Sequence, residues 1–304
     1  NTIGLAPLKT QAAIILPWSH ENLEEIFNAY FLARRAAIHV DIVPPDDPLH
    51  GYKLILVPCV KGQSHFTQPQ WDRIRARAAE GATLYLSLQG GFLPGLNEMA
   101  GIEVQYHRPV AVRRECKVIT DRPGLHPDVL LIWQGRGQPV PLLKVNTATA
   151  IARNSEHEPF LVENFWQKGK VILCTEPIEN YLCGRPGISP SDESWRIYRY
   201  LKKITGIIDP VKTNNKNVEC SVLQENDNLL IVLTNHSNAE ESVTLMVAPS
   251  ISVLTAPDGK PHRTENGACK IVFPPNSGLI LRAAGAGSVG SNPVGHGPIT
   301  PPAP

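Results

Sequence analysis

The 304-residue chain has almost no net charge: 29 Lys and Arg stand against 28 Asp and Glu, a formal +1. With no basic stripe along it, the electrostatic basis for holding nucleic acid or an anionic membrane surface is missing, so neither is expected as a partner. Long hydrophobic runs are missing too. Apolar stretches such as Ala12–Leu16 and Leu229–Leu233 end after a few residues, whereas a spanning helix needs about 20. A soluble polypeptide, cytoplasmic or secreted, is the expectation. The six cysteines contain no C-x-x-C pair, which argues against a zinc site or a dithiol redox motif. Cys59 and Cys174 lie in apolar strand-like runs and read as small buried hydrophobes. His39, His50, His65, His107 and His126 show no H-x-x-x-H or H-E-x-x-H spacing, so no metal site is expected. The first strand-to-helix junction, PWSHEN, has no glycine and carries Trp18, which excludes the close approach of a pyrophosphate; no cofactor is expected.

What is there is an alternation of strand and helix signals from residue 12 to about 207. AAIILPW is the uninterrupted apolar run of a strand covered on both sides. ENLEEIFNAYFLARRAA puts Leu23, Ile26, Phe27, Tyr30 and Phe31 on one helical face, with acids early and arginines late. AIHVDIV alternates as an edge strand does, and YKLILVP reads as another buried one. Thr67 and Gln70 form a T-x-x-Q box around Pro69, Trp71, Ile74 and Ala78 line a helix, and Gly81 stops it. TLYLSL follows as a strand. Residues 102–165 break this rhythm with short runs interrupted by Pro and Gly, which predicts antiparallel additions at a sheet edge. GKVILCTE restores a buried strand. A closing helix is predicted with Ser189 as cap, Pro190 as first residue and Gly206 as its end.

From about residue 208 six or seven short strands separated by Asn, Asp, Gly and Pro turns predict a small antiparallel β-sandwich to residue 285. Residues 286–304 are Gly/Pro-rich without periodicity and read as a disordered tail. Residues 1–11 read as a linker, and a chain that opens at Asn1 is expected to be a piece of a longer polypeptide. The expected fold is α/β: a doubly wound, mostly parallel, flavodoxin- or amidotransferase-like sheet, then the sandwich.

Candidate chemistry concentrates at ATLYLSLQGGF. A nucleophile on a strand-to-helix elbow needs small residues on both sides; Ser87 has leucines there and lies within the strand, so a plain strand serine is expected. Asn97–Glu98 resembles a glycosidase acid/base pair, but such a carboxylate belongs at the end of a barrel strand with a second one nearby. Glu98 follows Pro94–Gly95 in what reads as a short helix, so no catalytic residue is expected in this chain. Trp18, His20 and Gln89, at the predicted carboxyl ends of two strands, are the candidate substrate or interface contacts. Asn235-His236-Ser237 is a glycosylation sequon, meaningful only in a secreted eukaryotic protein.

The order of these features resembles the glutamine-amidotransferase-like, or trimerisation, domain that follows the catalytic barrel in family 42 β-galactosidases. It rests on the Trp after the first strand, the HVDIVPPDD and KLILVP strands, GATLYLS, the FLVENFWQKGKVILCTEPIENYL segment and the ESWRIYRYLKKITGI helix. The sandwich corresponds in position to the small C-terminal domain of the same enzymes. The resemblance implies that the barrel holds the catalytic glutamates. The amidotransferase-like domain has lost its nucleophile and serves subunit association, in some members lending a Trp to a neighbouring active site; by position that residue is Trp18. A barrel needs about 250 residues, so none is expected within the 11 residues given before the first strand. The expectation is therefore an accessory portion of a β-galactosidase-like glycosidase. It would be inactive alone, partnered by a (β/α)8 barrel, oligomeric, and with carbohydrate near the interface. The alternatives are a free-standing hydrolase or amidase of amidotransferase-like fold, and a carbohydrate-binding module. Phe273 is the single aromatic of residues 208–285, which weighs against the module.

Overall fold

The structure, a computed structural model of the chain, describes residues 6–7, 10–17, 23–91, 93–109, 113–134, 139–183, 192–209, 211–215, 217–225, 228–248 and 251–283. The chain divides into two compact units, Lys9–Asp209 with Asn215–Glu219, and Asn1–Leu8 with Pro210–Asn214 and Cys220–Pro304. Strand β1 (Ala6–Pro7) pairs within the second of these.

The larger unit contains β2 (Ala12–Ile15), α1 (Leu23–Arg35), β3 (Asp41–Val43), β4 (Leu54–Val60), α2 (Gln68–Glu80), β5 (Thr83–Leu88) and α3 (Leu96–Ala100). Then come β6 (Ile102–Arg108), β7 (Arg113–Val118), β8 (Leu130–Gln134), β9 (Val140–Val145), β10 (Thr149–Asn154), β11 (Pro159–Trp166) and β12 (Gly169–Cys174), followed by α4 (Ile178–Tyr181) and α5 (Trp195–Thr205). Nine strands form one sheet in the order β3-β2-β4-β5-β12-β11-β10-β7-β8. The first five run parallel and the rest antiparallel. The broken rhythm of residues 102–165 is thus the antiparallel extension of the sheet, with β6 and β9 pairing separately.

Alternate residues of the same strands feed two cores. Ile14, Leu56, Tyr85 and Ile172 pack with Ile26, Leu32, Tyr198 and Leu201. Ile15, Val57, Leu86 and Leu173 pack with Trp71, Ile74 and Met99. Of the parallel strands, β2, β4, β5 and β12 are covered on both faces, which is why they read as unbroken apolar runs. Helix α2 follows expectation: Gln70 Oε1 accepts the Thr67 N–H at 2.9 Å, and Gly81 ends it at φ 126°.

Two helices depart from expectation. Helix α1 buries Glu25, Ile26, Asn28, Ala29, Leu32 and Ala33, leaving Leu23, Phe27 and Phe31 exposed at 49, 59 and 42 %. Small Ala29 and Ala33 allow close packing, and Asn28 Nδ2 donates to the Glu179 carbonyl at 2.9 Å, so polar bonds and small side chains outcompete the larger apolar stripe for the inner face. Helix α5 starts at Trp195, later than expected. Asp192 accepts from the Ser194 N–H at 2.9 Å and from its hydroxyl at 3.2 Å, a local turn that delays the helix; Ser189 and Pro190 lie outside the described residues. Gly206 closes it at φ 59°.

In the smaller unit β1 joins β13 (Val211–Thr213), β14 (Val218–Glu225), β15 (Asn228–Asn235), β16 (Glu241–Val247), β17 (Val253–Thr255), β18 (Pro261–Arg263), β19 (Ala268–Phe273) and β20 (Gly278–Ala283). They form a six-stranded sheet, β1-β14-β15-β20-β17-β18, and a three-stranded one, β13-β16-β19. Alternating burial along β15 and β19 gives each a single apolar face, the pattern of a β-sandwich. Asn235 is buried, and its amide nitrogen donates to the carbonyls of Ala239 at 3.0 Å and Pro274 at 2.9 Å; in the folded chain the sequon asparagine is a structural clamp. The expected tail at 286–304 lies outside the described residues.

His39 supplies a pH test of the larger unit. Burial first, then Arg34 and Lys202, depress its pKa from 6.5 to about 3. The Arg34 guanidinium lies 3.0 Å from Nδ1, which therefore accepts. Burial and Lys61 likewise depress His65 to about 4. Both rings are neutral when folded and charge when unfolded. Their contribution is therefore complete above pH 6.5 and lost as pH falls toward about 4 and then about 3. His39→Gln should flatten the decline of unfolding free energy across that window in urea titrations; an unchanged slope would contradict the assignment.

Candidate functional site at the carboxyl ends of the parallel strands

The site begins with a proline. Pro58 lies in β4 and has no N–H for the ladder, and the β4–β5 register shifts between Val57 and Val60. Cys59 follows at φ 54°, a left-handed conformation that costs a non-glycine residue on the order of 1 kcal/mol or more. Its N–H, turned out of the ladder, donates to Ser87 Oγ at 2.7 Å. Ser87 in turn donates to Glu179 Oε2 at 2.6 Å. The other carboxyl oxygen accepts from Tyr198 at 2.7 Å and Tyr85 at 3.0 Å, and the Cys59 thiol lies 3.6 Å from Oε2. One carboxyl group therefore joins β4, β5, α4 and α5.

Cys59, Ser87 and Glu179 are all at 0 % exposure. Burial, then Glu179 and Glu25, push the Cys59 thiol well above its ordinary range. That is the opposite of the lowered pKa of a reactive cysteine. Burial also pushes the Glu179 carboxyl up, against the opposing hydrogen bonds from Ser87, Tyr198 and Tyr85. The cluster has the residue types of a nucleophile, a hydroxyl and a carboxylate, yet none can meet a solute in this conformation.

Around it lie two further polar links. Asn180 donates to Glu25 Oε1 at 2.6 Å, and Lys61 stands 3.8 Å from Glu25 Oε2. Arg114, from the antiparallel extension, reaches both oxygens of Glu176 through Nε at 3.0 Å, and Tyr181 donates to Glu176 at 2.9 Å. Both members of the Arg114–Glu176 pair are buried, so removing either partner alone would leave an uncompensated charge.

Of the residues singled out by sequence, Gln89 follows β5 and its N–H donates to the Val60 carbonyl at 2.8 Å. Its side chain is half-buried, with Oε1 lacking a hydrogen-bond partner among the described residues. Trp18 and His20 lie outside the described residues. The glycine pair has a steric cause: Gly90 has φ 82°, and a Cβ on Gly91 would fall 2.1–2.3 Å from the backbone of Lys61 and Gly62. Glu98 is exposed on the short helix α3. A pocket of about 180 Å3 lies beside this turn, lined by Gln63, Phe66, Gln68, Trp71, Leu93 and Pro94. It is smaller than the ~300 Å3 of ordinary ligand sites, and Phe66 and Trp71 are nearly fully buried, so neither ring offers a free face to a sugar. Among the described residues no group of three or more His, Cys, Asp or Glu side chains could hold a metal ion, and no helix is long and apolar enough to cross a membrane.

Sequence reasoning missed the Glu179 junction. Its signal is a pair of glutamates in TEPIENY directly after an apolar strand, a costly place for a carboxylate unless partners wait there. Two substitutions test the geometry. Ser87→Ala strands the Cys59 N–H and one Glu179 oxygen and should cost roughly 1–3 kcal/mol by denaturant titration; a loss near zero would mean the chain of bonds does not form. Gly91→Ala should cost about 3 kcal/mol or more through backbone collision. Gly206→Ala, where a Cβ meets nothing within 4 Å, should cost only about 1 kcal/mol for its positive φ.

No protein-family model matches the chain, and no curated protein matches its sequence. Solved structures do match the fold. A β-galactosidase from Bacillus circulans sp. alkalophilus overlays at TM-score 0.67 and 15 % identity, across 90 % of this chain and 41 % of its own. A catalytic mutant of a GH42 β-galactosidase from G. stearothermophilus gives 0.68 and 13 %, across 91 % and 41 %. An α-L-fucosidase isoenzyme from Paenibacillus thiaminolyticus gives 0.66 and 13 %, across 92 % and 49 %. The chain is thus similar, over nine-tenths of its length, to part of several much larger glycosidases, and it spans two-fifths to one-half of theirs.

Proposed function

We propose that this chain is the non-catalytic accessory and oligomerisation portion of a β-glycosidase of β-galactosidase type. In this reading the doubly wound, amidotransferase-like sheet and the sandwich work beside a (β/α)8 barrel that this chain does not contain. The carrying observation is the partial overlay: about 90 % of this chain matches about 41 % of a β-galactosidase, which leaves more than half of such an enzyme for a catalytic domain. The closed Cys59–Ser87–Glu179 cluster supports the same reading, because the nucleophile-type side chains at these strand ends are fully buried in a hydrogen-bonded joint. Trp18, His20 and Gln89 are the proposed contact residues, toward the barrel or a carbohydrate held against it. The sugar is open: the fold neighbours include both β-galactosidases and an α-L-fucosidase.

One observation favours a free-standing amidase or hydrolase, namely the left-handed φ of 54° at Cys59 beside a carboxyl group. Against it stand the complete burial and raised pKa of that thiol. For the carbohydrate-binding module, Phe273 is buried and gives the sandwich no aromatic platform. Native mass spectrometry of the chain expressed in its source cells, followed by a panel of chromogenic glycosides, separates the readings. Co-purification with a barrel-sized chain, and no turnover by this chain alone, is the expected result. A chain that cleaves a glycoside or amide unaided would overturn the proposal.

A further inference from the structure

We infer that the outer edge of β8 is a strand-addition site whose occupant is an extended acidic segment of a separate polypeptide. The phase of the ladder fixes which backbone groups are available there. The Val118 N–H donates to the Val129 carbonyl at 3.3 Å, and bonded pairs alternate along antiparallel strands, so Cys116–Leu131 and Arg114–Trp133 are the bonded pairs of β7 and β8. The opposite side of β7 has the complementary phase: Ile119 donates to the Ile151 carbonyl at 2.9 Å, and Ser155 to that of Glu115 at 3.2 Å. The N–H and C=O groups of Leu130, Ile132 and Gln134 therefore point away from β7, at an edge with no strand partner among the described residues. The side chains of Leu130 and Ile132 stand beside that edge at 49 and 47 % exposure.

Sheet edges are ordinarily blunted by charge, proline, bulges or shortness. Every other edge strand among the described residues follows that rule. Strand β1 holds Pro7, β3 Asp41, β13 Lys212, β18 Pro261 and β19 Lys270, and the paired β6 and β9 carry Glu103 and Lys144. The LLIWQ of β8 has neither charge nor proline, and its register with β7 runs without a shift. Such an edge suits strand addition, in which main-chain hydrogen bonds supply affinity and alternate side chains supply selectivity.

Charge selects the occupant. Leu130, Ile132 and Gln134 lie opposite Lys117, Glu115 and Arg113, and Lys117 lies opposite Arg153 of β10. Three cations against one carboxylate leave this face net positive. A second copy pairing edge to edge would set two such faces side by side. The chain's own residues 286–304 are rich in proline and contain no acidic residue, so neither matches. A strand with an apolar residue beside Ile132 and carboxylates beside Leu130 and Gln134 does match, with Lys117 and Arg113 two strand spacings, about 10 Å, away. This surface is independent of whether the chain serves a glycosidase.

Two fluorescent peptides, Thr-Glu-Thr-Val-Thr-Glu-Thr and its Lys-for-Glu counterpart, test the inference on the full chain by anisotropy, with hydrogen exchange followed at single amides. Saturable binding of the acidic peptide is expected, with Kd on the order of 100 micromolar, together with slowed exchange at Leu130, Ile132 and Gln134. Methylating the peptide's Val nitrogen, which would face Ile132, should abolish binding. Ile132→Pro removes an outward N–H and no bond to β7, so it should weaken binding about tenfold while circular dichroism stays unchanged. If that variant misfolds, Lys117→Glu carries the test, with the acidic peptide bound a few-fold more weakly and the basic one more tightly. Equal binding of the two peptides, no binding of either, or protection at another strand overturns the inference. So does a concentration-dependent dimer in sedimentation velocity that Lys117→Glu or Ile132→Pro abolishes, since the occupant would then be a second copy. None of these outcomes touches the barrel-accessory reading.

Discussion

The larger unit turns on one carboxyl group placed where a carboxyl group is expensive. Burying Glu179 would cost several kcal/mol if it were left alone. It is tolerated because Ser87, Tyr85 and Tyr198 donate to it and the Cys59 thiol adds a weaker contact. These donors come from three elements that are distant in sequence, and they can satisfy the carboxyl only if β4, β5 and α5 hold their observed places. The left-handed turn at Cys59 belongs to the same arrangement, since it delivers the Cys59 N–H to Ser87. A polar network satisfied to this degree specifies geometry more sharply than apolar packing does.

Much of the fold is legible in sequence where one physical signal dominates. Unbroken apolar runs mark the strands covered on both faces, Thr67–Gln70 and Gly81 bound α2, and alternation marks Asp41–Val43 as an edge strand. Legibility fails where signals compete. Helix α1 has two apolar stripes, and hydropathy favours the larger, but Asn28 and Glu25 find partners on α4 only if the smaller one turns inward. The start of α5 is misplaced because Asp192 and Ser194 form a turn of their own, and a Ser-Pro pair upstream carries the stronger textual cue.

The site was half legible. Steric reasoning from the leucines around Ser87 excludes an elbow, and the structure adds why the serine is there at all: it bridges a displaced backbone N–H and a buried acid. Cys59 reads as a small hydrophobe and is one by burial, yet its backbone geometry follows from the preceding proline. Glu179 is invisible from local pattern because its four partners are long-range. An accessory role for the chain accords with these facts and with its overlay on part of larger glycosidases. At the carboxyl ends of these strands the candidate nucleophiles Cys59 and Ser87 are fully buried and tied to Glu179.

The reactivity of the Cys59 thiol in the native protein tests that account most directly. Alkylation followed residue by residue with mass spectrometry should find Cys59 modified only as fast as the whole unit unfolds, and slower than an ordinary exposed thiol by several orders of magnitude. Rapid, selective modification of Cys59 at neutral pH in the folded chain would contradict it, and would mean that the cluster around Glu179 opens to solvent and is poised for chemistry.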